Sequence, residues 1–225
     1  MAGNNEDFSL KTVASELHRK LRLRMCEGEF APGEAISIRR IAAEYGTSMM
    51  PAREAVRWMV AEGALEFADS RKIIVPTHSR QRFYEILYAR KSLETQISRQ
   101  SFPHIEREDI RHLEELDDRI DESIESGDLS SYMRGNYQFH FHIYRLSGSK
   151  VLLPLVELLW MQYGPSMRFI ASRWRSSRIA DDYHQRIIRA LDEGDREAFC
   201  DAIAADIEQG IELLTRQTHA GVSAQ

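Results

Sequence analysis

Cysteine is scarce in this chain of 225 residues: there are only Cys26 and Cys200, and no metal-binding or redox motif surrounds either. A disulfide framework is therefore not expected, and a reducing cytoplasm suits the composition. Long hydrophobic runs are missing too. The longest, from 151 to 161, is broken by Pro154 and Glu157 and is far too short to span a bilayer, so no membrane partner is expected. No charged-then-apolar leader opens the chain, so export is not expected. Internal repeats and low-complexity stretches are also missing. Positive charge is not in excess. The formal net charge is −5, residues 1–78 hold 11 Lys+Arg against 11 Asp+Glu, and the remainder holds 19 against 24. That argues against strong nonspecific affinity for nucleic acid and leaves room for a local basic face.

What is present is a well-stocked globular chain. Hydrophobic residues make up 43% and charged residues 29%, which rules out a disordered composition and provides for one or two domains with proper cores. Asn4 to Asp7 reads as a disordered start. Leu10, Val13, Ala14, Leu17, Leu21 and Met25 then recur at threes and fours, as in an amphipathic helix ending near Gly28. Ser37 can cap a short helix from Ile38 to Tyr45 that stops at Gly46. Ser48 can cap a second, with Pro51 in its first turn and Gly63 as terminator. In that second helix Ala55, Val56, Met59 and Val60 form an apolar stripe, leaving Arg53 and Arg57 off it. Two helices joined by a tight Gly-containing turn are a helix-turn-helix. Ala64 to Phe67 and Ile73 to Val75, around the turn Asp69-Ser70-Arg71-Lys72, add two strands of a wing, to which Ala35-Ile36 can lend a third.

The run Pro32-Gly33-Glu34, Ile41-Ala42, Gly46-Thr47-Ser48, Pro51-Ala52-Arg53-Glu54-Ala55-Val56 and Glu62-Gly63 closely resembles the DNA-binding domain of the GntR family of bacterial transcription regulators. The helix-turn-helix places Ser48, Met49, Met50 and Arg53 near the major groove of double-stranded DNA, where an arginine reading guanine contributes about 1–3 kcal/mol of discrimination. The resemblance adds Arg39 as a DNA contact. It also marks two departures: relatives usually carry an arginine where this chain has Met49, and the wing tip lacks their glycines. Met49 can touch a thymine methyl instead, and Arg71 and Lys72 can meet phosphate. A single such domain reads too few base pairs for a unique site, so a homodimer on a palindromic operator is expected.

From Ser79 to about 217 the pattern is helical throughout. The fold class is mostly α: a winged helix-turn-helix over 8–76, a linker at 77–79, an all-helical bundle over 80–217 and a disordered tail over 218–225. Helices are expected over about 79–101, 107–126 and 129–146. A fourth starts near Val151 and ends or kinks at Gly164-Pro165. Met167 to Trp174 follows as another helix, then about Ser177 to Leu191 and Arg196 to Gln217.

Polar groups on the inner faces carry the chemistry. Asn136 and His140 share the face of Tyr132, Phe139 and Ile143; His184 lies beside Ile187 and Leu191; Asp206 sits on the stripe of Phe199, Ile203 and Leu213. Such groups are costly inside a bundle unless they share a partner, and a divalent cation satisfies two imidazoles and a carboxylate together. The alternative is that each makes an ordinary hydrogen bond, as is expected for His18, His104, His112, His142 and His219. Arg90, with Leu93 and Glu94, sits among Phe83, Leu87 and Ile97. It can anchor an effector carboxylate or pair with Glu94 one turn away.

Asn136-Tyr137-Gln138-Phe139-His140, Tyr183-His184, Arg90 and Leu93-Glu94 resemble the effector domain of the FadR-like branch of the same family, the FCD type. That resemblance implies a metal held at Asn136, His140, His184 and Asp206, with Asn136 in place of the usual Asp and Asp206 in place of a third His. Zinc, nickel, manganese and iron all suit this set. The expected protein is a transcriptional regulator, foremost a repressor, controlled by a small organic acid. A helical metal enzyme and a metal-free interaction module are the competing readings.

Overall fold

The structure is a computed structural model describing residues 3–69, 72–174 and 183–220. Helix α1 (Gly3–Cys26) begins at once, so Asn4 to Asp7 belong to it and are not a separate disordered start. Ala14, Leu17, Leu21 and Met25 are buried along one side, while Val13 of the expected stripe faces solvent. Strand β1 (Ala35–Ile36), α2 (Ile38–Glu44), α3 (Met49–Ala61), β2 (Glu66–Phe67) and β3 (Ile73–Ile74) complete a winged helix-turn-helix. The sheet order is β1-β3-β2, antiparallel, with Ala35 opposite Ile74 and Phe67 opposite Ile73. Ser37 caps α2 through the Arg40 amide at 3.3 Å. Ser48 precedes α3 without any side-chain cap bond, so its hydroxyl stays available at the helix tip.

Ser79 caps α4 (Arg80–Ser101) through the Arg82 amide, and a 3-10 turn at Phe102–His104 ends it. Next come α5 (Arg107–Ser126), α6 (Leu129–Leu146), α7 (Leu152–Trp174), α8 (Tyr183–Asp192) and α9 (Arg196–Ala220). The expected helix start at Ser177 falls outside the described residues. The last helix runs past the expected boundary at 217 to Ala220. In the bundle α5 packs on α6, α4 on α9 and α7, and α8 on α9. Phe139, Phe141, Tyr144, Trp160 and Phe199 are completely buried at its centre. No helix among the described residues is long and apolar enough to cross a membrane.

The helix does not end at Gly164-Pro165: α7 continues through it to Trp174, so the expected separate helix from Met167 is part of α7. A proline inside a helix removes one bond and opens the ladder, which is tolerable where the exposed groups find other partners. The carbonyl that Pro165 leaves without a helical donor is that of Met161; one residue on, the Gln162 carbonyl accepts from His78 Nε2 at 3.0 Å, tying the linker to α7. Gly164 has another use. A Cβ there would stand 2.1 Å from the Met25 carbonyl oxygen, so only glycine lets the end of α1 lie on α7. Arg168 donates to the Gly28 carbonyl at 2.8 Å, and Gln162 Nε2 donates to the Glu62 carbonyl that caps α3 at 3.0 Å. The buried residues of head and bundle therefore form one continuous core. Gly164→Ala should lower unfolding free energy by about 1–3 kcal/mol, the usual cost of overpacking. A urea midpoint equal to that of the parent protein would contradict this junction.

Candidate functional site

Three helices bring the expected ligands together. His140 on α6 is 1% exposed, His184 opens α8 and is buried, and Asp206 on α9 is partly buried. One ligand atom from each lies within 4.8 Å of the other two. His140 Nε2 stands 3.2 Å from Asp206 Oδ2, and the His184 ring stacks on Phe139 at 4.0 Å between centroids.

The hydrogen bonds behind the two histidines decide which nitrogen each presents. Tyr144 donates its hydroxyl proton to Glu94 at 2.7 Å, so toward His140 Nδ1, 3.3 Å away, it can only accept. The His140 proton therefore sits on Nδ1, and Nε2 points a lone pair at the Asp206 carboxylate. On the far side, His184 Nδ1 donates to Asp117 Oδ1 at 2.9 Å, and the other oxygen of Asp117 accepts from Gln185 at 2.6 Å. Asp117 is only 2% exposed. Both imidazoles are thus held with Nε2 as the inward donor, as histidine metal ligands are when a carboxylate or hydroxyl orients them from behind. A lone pair facing a carboxylate needs a cation between them, either a proton or a metal. Burial pushes the Asp206 carboxyl up; with a proton as that cation, the His140 bond and the charges of His140, His184 and Arg90 outweigh burial and hold the carboxyl below the usual range. The donor set fits a divalent ion.

Asn136 is buried and lines the same cavity as His140, Asp206 and Arg90. Its amide nitrogen contacts Met167 Sδ at 3.9 Å, which leaves the amide oxygen for a cation. The cavity, walled also by Tyr132, Tyr163 and Met167, holds about 30 Å³, the room of a single water molecule. Arg90 pairs with Glu94 through Nε at 2.7 Å and Nη2 at 3.3 Å, and its guanidinium lies over Tyr163 at 4.0 Å and Trp160 at 4.5 Å. Burial works against the Arg90 charge, and the Glu94 carboxylate outweighs it and keeps the arginine charged. The one-turn pair is therefore formed, and it takes two of the five guanidinium N–H donors.

Three supporting residues carry more than the pattern suggested: Asp117, Tyr144 and Glu94. The signal for Asp117 was present, because it interrupts the stripe of Ile110, Leu113, Leu116 and Ile120, all buried. His18 and His142 bond Glu62 and Asp109, both at 2.8 Å, and so make ordinary hydrogen bonds.

At the other end, Met49, Met50 and Arg53 of α3 and Arg39 and Lys72 stand exposed on the winged head. Arg57 is held by Glu54 at 3.2 Å. Arg71 lies outside the described residues.

Comparison with known proteins matches both halves of the chain. Residues 13–75 match the family described as bacterial regulatory proteins, gntR family, and residues 85–209 match the FCD domain. The HTH-type transcriptional regulator McbR of Escherichia coli (strain K12) is 25% identical over 92% of this chain and 94% of its own length. The "Probable D-xylose utilization operon transcriptional repressor" of Paenarthrobacter nicotinovorans is 28% identical over 88% and 86%. The solved structure of E. coli McbR/YncC superposes with a TM-score of 0.81 at 24% identity, covering 92% of this chain and 98% of that one.

Proposed function

The chain belongs to the GntR family of bacterial regulatory proteins with an FCD effector domain, and from that premise we propose a metal-centred sensor of a small organic acid that represses transcription as a cytoplasmic homodimer on a palindromic operator. It is a DNA-binding transcriptional regulator, and the enzyme reading falls away with the family assignment. The observation carrying the sensor reading is the convergence of His140, His184 and Asp206 within 4.8 Å, with both imidazoles turned to offer Nε2. Asn136 adds its amide oxygen to that set. A bound zinc, nickel, manganese or iron ion would supply positive charge and an open position for a carboxylate oxygen.

Arg90, which lines the same cavity, would meet the same carboxylate through N–H groups that Glu94 does not use. Two neutral imidazoles and the Asp206 carboxylate leave a divalent ion one positive charge, which the buried Asp117 carboxylate behind His184 offsets, so the pull on an anion comes from the ion's open position and from Arg90. An organic acid is larger than about 30 Å³, so its entry moves the walls. Tyr163 and Met167 belong to α7, whose other side carries Gln162, Gly164 and Arg168 against the head. Displacement of α7 then shifts the recognition helix, and a coupling of about 1–3 kcal/mol is enough to change operator occupancy.

The test is the melting temperature of metal-analysed protein against a panel of small organic acids, since a ligand of the native state raises it. One acid should stabilise the parent protein and leave His140→Ala unchanged. Neither metal nor an acid response would favour the metal-free module. For the DNA end, Arg53→Ala should weaken operator binding by about 1–3 kcal/mol in a titration at fixed salt. Unchanged affinity would remove Arg53 from the interface.

A further inference from the structure

The tip of α3 exposes two long apolar side chains that the fold does not use. Met49 is 42% exposed and Met50 60%, both in the first turn of the helix. At ~100° per residue, Met49, Arg53, Arg57 and Met50 span about 100° of arc. The buried Pro51, Ala52, Ala55, Val56 and Met59 occupy the opposite side. The first turns of both α2 and α3 hold no acidic residue. Among the described residues Glu54 pairs with Arg57 and not with Arg53, so Arg53 is the arginine of this face left to a partner. Exposed Arg39 and Arg40 on α2 and Lys72 after the wing turn supply cations around it.

The face is thus cationic at its edge and apolar at its leading point. Phosphates match the edge. In the major groove the apolar group on a base edge is the C5 methyl of thymine. Methionine is unbranched and polarisable, so it can follow a methyl without rigid registry. It offers no strong acceptor, so a cytosine amino group pressed against it would lose water and gain no partner. Resting on the DNA-binding reading, we infer that Met49 and Met50 are specificity-determining residues that read thymine methyls at two positions of each operator half-site, with Arg53 placed for a guanine beside them.

The experiment uses the full-length protein. A duplex is first enriched from a random-sequence pool, and each thymine in it is then replaced by deoxyuridine, which removes the methyl alone. Two positions per half-site should each lose about fourfold in affinity, the weight of one buried carbon. Met49→Ala should abolish the loss at one position and Met50→Ala at the other. Met49→Leu should retain it, and all three variants should melt like the parent protein because the sites are exposed. Indifference to deoxyuridine, losses that persist in both alanine variants, or an enriched duplex without thymine under α3 would each overturn the inference while leaving DNA binding intact. If no duplex is enriched at all, the inference falls together with the DNA-binding reading.

Discussion

Glu94→Ala is expected to cost about 3–5 kcal/mol of unfolding free energy, because it strands a charged arginine in the core. Arg90 is 3% exposed and Glu94 completely buried. Removing the carboxylate takes away both of its bonds to the guanidinium and the acceptor of the Tyr144 hydroxyl. Tyr144 then loses the group that fixes its proton, and His140 loses its fixed tautomer. The variant should therefore unfold at a much lower urea concentration and also bind metal more weakly. Replacing both partners together, Arg90→Met with Glu94→Leu, should recover most of the stability, since a buried pair is often no better than apolar residues of similar volume. The double variant should not recover the response to an organic acid. A single variant as stable as the parent protein would mean that the pair is not buried as described.

His140→Ala and His184→Ala should each abolish metal binding in a competition titration with a coloured chelator. Asp117→Asn tests the geometry behind them. Its carboxylate is not a ligand, yet it holds the proton on His184 Nδ1, and such supporting groups are worth about 10–100-fold in metal affinity. Both alanine variants should lose more than that. If Asp117→Asn binds metal as tightly as the parent protein while His184→Ala does not, His184 is oriented by its stacking on Phe139 and not by the carboxylate. If none of the three changes affinity, the metal does not sit at this cluster.

Local chemistry made much of the fold legible. Ser37 and Ser79 mark the starts of α2 and α4, and Gly46, Gly63 and Gly127 fall at turns with positive φ, because caps and left-handed turns depend on a few neighbouring residues. Inward faces were legible for the same reason: Asn136, His140 and His184 lie on apolar stripes and are indeed buried. Asp117 lay on such a stripe too, but its meaning depended on His184, 67 residues away.

The chain read alone settles that a winged helix precedes a helical bundle, and which polar groups face inward, since both follow from periodicity and capping within a few residues. Periodicity gives the buried side of a helix without naming its neighbour. The meeting of α6, α8 and α9 at one point, the Tyr144 and Asp117 bonds that turn two imidazoles toward it, and the capture of Arg90 by Glu94 are decided only when the helices pack. Pro165 shows the same limit from the other side. Its local penalty favours a break, but α7 continues where it is packed on both neighbours: Gly164 receives the end of α1, and His78 bonds the Gln162 carbonyl. Tertiary contacts outweigh a local preference worth about 3 kcal/mol, and here they place one helix between the cluster of His140, His184 and Asp206 and the winged head.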